Sequence, residues 1–241
     1  MRYMAVVQYV GTNYFGWQRQ PFEISVQQVI EDKLSTIFNT DIKIYASGRT
    51  DAKVHAYGQV FHFDAPPFPV RKLQYALNKM LPADIEILKV NKVKDDFHAR
   101  YSAKSKTYEY LICLEAKDPF LSGRVLFYPL PLDEKKLKKD AKLFVGTHNF
   151  QNFTSKKEDD ANFVRTISLV KIQRHQQLLK IVFVGDGFMR GQIRMMVGAL
   201  LAQNTGKEKP NFISENLNTT ERKIINHKVI GDGLYLRKVT Y

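Results

Sequence analysis

Nine residues, Ser47-Gly48-Arg49-Thr50-Asp51-Ala52-Lys53-Val54-His55, gather two cations, a carboxylate and an imidazole into one short polar stretch. If the backbone is locally extended, Arg49, Asp51 and Lys53 alternate to one side, and the carboxylate lies beside fixed positive charge. Opposite charge favours the ionised carboxylate, which can act as a nucleophile or general base. The bland alternative for the same residues is an Arg–Asp ion pair bracing a turn. Other carboxylate chemistries lack a second acid, because no Asp-x-Asp or Glu-x-x-His stands near this loop. His55, His62, His98, His148, His175 and His227 lack the close spacing of a metal cage, and Cys113 is the only cysteine. Gly11 to Gly16 has phosphate-loop spacing but is followed by Trp17 where lysine is needed. Gly185, Gly187 and Gly191 miss the dinucleotide spacing by one residue.

Three further groups suit an anionic, base-bearing ligand. Arg190 and Arg194 are four apart, so on one helix they share a face. Tyr108 and Tyr110 alternate along a strand that follows Arg100, Lys104 and Lys106, a pairing of aromatic platforms and cations that suits unstacked RNA. Lys135, Lys136, Lys138, Lys139 and Lys142 form a charge run, either a solvated helix face or a track for phosphates.

The elements that must position these residues are legible from periodicity. A strand over Tyr3 to Val10 precedes a helix capped by Ser25 and Gln28, with Val26, Val29, Ile30, Leu34, Ile37 and Phe38 on one face. Short strands at Ile42 to Ile44 and Gly58 to Phe63 flank the polar loop, followed by a helix from Val70 to Met80 and a strand over Ile85 to Val90. A second run has strands at 108–114, 163–172, 178–184 and 234–239, with helices at 133–145 and around Ile193 to Leu201. The order predicts an α+β protein of two lobes, residues 1–104 and 105–241, with a cleft between them. The 241 residues carry 37 Lys+Arg against 24 Asp+Glu, a formal charge of +13, which points to a polyanionic partner. The charge-free start from Tyr3 to Gln18 is too short and too interrupted to span a membrane, and a cytoplasmic location is expected.

Read together, Tyr9 to Pro21, Ser47 to Ala56, Phe97 to Ala103, Lys106 to Tyr110, Gly146 to Phe150, Arg165 to Ile167, Phe188 to Gly198 and Gly233 to Leu236 resemble, in order, the blocks of TruA-type tRNA pseudouridine synthases. The resemblance implies a homodimer whose antiparallel sheets merge across a basic cleft, with helices on the outer faces, tRNA as partner, and no metal or other cofactor. It also implies isomerisation of uridine to pseudouridine in the anticodon stem-loop, in the 38–40 region of the tRNA. By the same resemblance Asp51 is catalytic, Arg49 helps evert the target nucleotide, Tyr108 stacks on the uracil and Arg194 pairs with the catalytic carboxylate. The chain departs from the family at Lys53, where glycine is usual, and around Ile230 to Gly233. An RNA-binding paralogue with altered catalysis is the competing expectation.

Overall fold

The computed structural model describes residues 1–155 and 162–241, which form two compact units, Met1–Lys106 with Tyr235–Tyr241, and Thr107–Leu234. The first unit contains β1 (Arg2–Tyr9), α1 (Val26–Phe38), β2 (Tyr45–Ala46), β3 (His55–Asp64), α2 (Val70–Met80) and β4 (Ile85–Lys92). The next strand, β5 (Ser105–Cys113), leads into the second unit. There follow β6 (Leu126–Phe127), α3 (Glu134–Ala141), β7 (Gly146–Asn149), β8 (Val164–His175), β9 (Leu178–Gly185), α4 (Gln192–Asn204) and α5 (Phe212–Asn218). The last strand, β10 (Leu234–Thr240), returns to the first unit. The fold class is α+β, as the periodicity predicts.

In the first unit the strands run in the order β4-β1-β3-β10, and β2 also pairs with β3. Antiparallel register places Arg2 opposite Asp64 and Tyr9 opposite Ala56, while β10 lies parallel to β3 with Tyr235 beside His55. Alternation in β1 buries Tyr3, Ala5, Val7 and Tyr9 and leaves Arg2, Met4, Val6 and Gln8 half-exposed. Ile30 and Leu34 of α1 and Leu73 and Leu77 of α2 join that core without any exposed surface. Ser25 caps α1 by accepting from Gln28 N at 3.2 Å. The strand expected at Ile42 to Ile44 is displaced to β2. The buried Glu31 carboxylate accepts from Ile44 N and Ser35 Oγ from Ile42 N, so both amides are already used by α1.

In the second unit the order is β5-β9-β8-β7, with β6 on β5. The long β8–β9 hairpin pairs His175 with Leu178 and Ile167 with Gly185. The helix expected over 133–145 ends at Ala141 and tightens into a 3-10 turn over Lys142–Phe144. Asp133 is its cap, accepting from Lys136 N at 3.0 Å. No helix among the described residues is long and apolar enough to cross a membrane.

Candidate active site

The polar loop is bolted to the first unit from several sides. Ser47 N donates to Val60 O at 2.7 Å, Ser47 Oγ meets Gln59 Oε1 at 2.7 Å, and Gln59 Nε2 returns to Gly48 O at 2.8 Å. Lys106 Nζ donates to Ser47 O at 2.6 Å, so one of the cations expected to face a ligand instead braces the loop. Thr50 is buried, its hydroxyl 2.8 Å from the Tyr9 hydroxyl, and its carbonyl accepts from Trp17 N at 3.1 Å. Buried Thr50 thus separates exposed Arg49 from half-exposed Asp51.

Beyond Asp51 the extended alternation stops. Val54 N donates to Asp51 O at 3.2 Å, closing a turn in which Lys53 adopts φ 64°. Arg49, Asp51 and Lys53 therefore do not lie along one extended strand. The turn is held by Lys53 N donating to Tyr14 O at 3.2 Å. His55 is buried; its Nδ1 accepts from Gly11 N at 3.0 Å, and its ring stacks on Tyr235 with centroids 4.5 Å apart. It is an anchor for the loop.

Two glycines make this clamping possible. A Cβ on Gly11 would stand 2.0 Å from Val54 O, and one on Gly16, at φ 87°, 2.5 Å from Thr50 O. Backbone thus packs on backbone, which explains the Gly11 and Gly16 spacing without any phosphate. Buried Trp17 continues into the core against Phe61 and Tyr9.

In the second unit Tyr108 is 8% exposed and meets Phe188 edge to face at 5.3 Å. Tyr110 is fully buried, donates its hydroxyl to Ile230 O at 2.8 Å, and has its phenol pKa raised by burial. Of the two tyrosines, Tyr110 is core and cannot present a face to a base. Gly233 accommodates it, since a Cβ there would lie 2.9 Å from the Tyr110 ring and 2.6 Å from Leu111 O.

Arg194 lies in the first turn of α4, and its Nε donates to Val229 O at 2.7 Å. Gly198 lets the segment before Val229 pack directly on α4, because a Cβ at 198 would collide with His227 O. Arg190 precedes the helix, whose cap is Gly191 at φ 72°. The expected shared face of Arg190 and Arg194 is therefore absent, and the Arg190 carbonyl instead accepts from Thr154 and Ser155. Among the described residues no cluster of three His, Cys, Asp or Glu could hold a metal ion.

Known proteins resemble this chain over its full length. The family model described as tRNA pseudouridine synthase matches residues 5–102 and 141–241. The tRNA pseudouridine synthase A of Streptococcus agalactiae serotype Ia is 41% identical over 100% of this chain and 95% of its own length. That of Streptococcus mutans serotype c is 39% identical over 100% and 99%. A solved structure described as a Cbf5-Nop10-Gar1 complex aligns at 13% identity and TM-score 0.39, over 82% of this chain and 53% of that one, a likeness too slight to add weight. With the family model spanning both units and full-length relatives near 40% identity, the chain belongs to the tRNA pseudouridine synthase family, a family of isomerases.

Proposed function

We propose that this protein converts uridine to pseudouridine in the anticodon stem-loop of tRNA, in the 38–40 region, with Asp51 as the catalytic residue. The carrying observation is the backbone-clamped loop that keeps Asp51 half-exposed between buried Thr50 and the Lys53 turn. Isomerisation breaks the bond between C1′ and N1, turns the uracil, and forms a bond between C1′ and C5. The C5 proton leaves to solvent and N1 gains one, so no oxidant or co-reactant is needed. The base must stay in place while detached, which calls for packing and exclusion of water.

In this reading Asp51 is the attacking group or the base that promotes cleavage of the glycosidic bond. Arg49, exposed two residues earlier, fills the space left by the everted nucleotide or holds its displaced phosphate. Tyr108 supplies the ring against the uracil, itself steadied by Phe188. Arg194, oriented through Val229 O, is the cationic partner of the carboxylate. A homodimer acting in the cytoplasm belongs to the same proposal.

Mapping pseudouridines in an unmodified tRNA transcript after incubation with the protein tests the reading. New pseudouridines confined to the anticodon arm are expected; modification elsewhere, or none, overturns it. Binding without any modification would favour the RNA-binding paralogue instead.

A further inference from the structure

The first unit carries a second aromatic feature far from Asp51. Tyr45 stacks on His62 with centroids 5.2 Å apart, His62 lies 4.6 Å from His98, and His98 lies 4.4 Å from Tyr101. The ladder is exposed at both ends and buried at its middle, for Tyr45 is 53% exposed, His62 3% and Tyr101 77%. His62 lies seven residues along β3 from His55, on the order of 20 Å from the start of the strand.

The turn that displays Tyr101 is fixed from below. Ala99 N donates to His62 Nδ1 at 3.2 Å, Tyr241 Oη donates to Ala99 O at 2.7 Å, and Arg2 Nη1 donates to Phe97 O at 3.1 Å. His98 Nδ1 accepts from Arg100 N at 3.1 Å, which holds the ring under Tyr101. Above this pedestal stand two exposed groups, the Tyr101 ring and the Arg100 guanidinium 5.6 Å from its centroid. Phe97 and Ser102 of the same turn line an open cavity of about 710 Å³ with Lys92, Val93, Lys94 and Asp96.

A large ring held in water by a rigid stack has little freedom to lose on contact, which favours a flat ligand. Cations beside the ring favour one that is also a polyanion. We propose that Tyr101 and Arg100 form a remote RNA-binding platform, on which an unpaired base of the substrate tRNA stacks while Arg100 and the lysines of the adjoining cavity meet its phosphates. This rests on the reading of the protein as a tRNA enzyme and gives it a second point of grip, separate from the chemistry.

The test measures tRNA affinity at several salt concentrations, together with modification rate at saturating tRNA, for Tyr101→Ala, Tyr101→Trp and Arg100→Gln. Loss of one stacked base is expected to weaken binding by roughly five- to a hundredfold in Tyr101→Ala, with Tyr101→Trp near wild type. Arg100→Gln is expected to lower the salt dependence by about one phosphate contact. Saturated rates and thermal midpoints are expected to stay unchanged. Equal affinity for Tyr101→Ala and wild type overturns the platform, as does weakened self-association with tRNA affinity intact, which would mark a protein-binding surface. A wild-type chain that binds tRNA but modifies nothing sinks the isomerase reading and leaves this comparison readable, whereas failure to bind tRNA at all overturns both.

Discussion

Lys53 is the residue at which the site's two demands conflict. A left-handed backbone costs a side-chain-bearing residue on the order of 1 kcal/mol, yet the Tyr14 carbonyl and the turn from Asp51 to Val54 hold Lys53 there at φ 64°. Replacement by glycine relieves the strain but loosens the unfolded chain, so Lys53→Gly is expected to gain up to about 1 kcal/mol in denaturant unfolding. Binding should move the other way, with weaker tRNA affinity and a shallower salt dependence if the exposed ammonium meets a phosphate. His62 makes a separate prediction. Burial, then the nearby positive charges, lower its pKa from 6.5 to about 4. Between those values the unfolded chain takes up a proton that the folded one refuses. Stability is therefore expected to fall as pH drops from 6.5 towards 4, by at most about 1.4 kcal/mol per pH unit, and His62→Gln should flatten that slope in thermal melts.

At the scale of elements, the Asp51 loop depends on the segment from Gly11 to Gly16 packing against it backbone to backbone. Gly11→Ala and Gly16→Ala force a methyl into carbonyls, so a loss of about 1–3 kcal/mol in stability is expected, together with lost modification. A melting curve and rate equal to wild type would refute the clamp. The sequence already revealed the helices from Val26 and Val70, because their apolar spacing is long and regular. It also singled out the loop, by its density of charge. It flagged Lys53 through the glycine usual there, the residue type a positive φ favours, but not the partner that holds the turn, and it missed the displacement to β2; Tyr14 decides the one and Glu31 with Ser35 the other, all distant in sequence. The end of β3 and the 97–102 turn were legible only as a strand and a family block; their rings meet through pairing that no local pattern encodes.

For the whole molecule, a charge of +13 is an electrostatic argument about binding. The structure divides the lysine run in α3 and its following turn. Lys136 is bound to Asp140 and Gln203 O, and Lys138 pairs with Glu134, while Lys135, Lys139 and Lys142 are exposed. Replacing the last three by glutamine is expected to weaken tRNA binding and reduce its salt dependence without altering the saturated rate, whereas Lys136→Gln should act on thermal stability. Equal salt dependence before and after the triple change would show that this face is merely solvated. The account as a whole turns on the Asp51 carboxylate, and tritium release from C5-labelled uridine in tRNA reads its chemistry directly. With saturating tRNA the wild-type protein is expected to release tritium, and Asp51→Asn to bind tRNA as tightly and release none; release by Asp51→Asn at the wild-type rate would contradict the account.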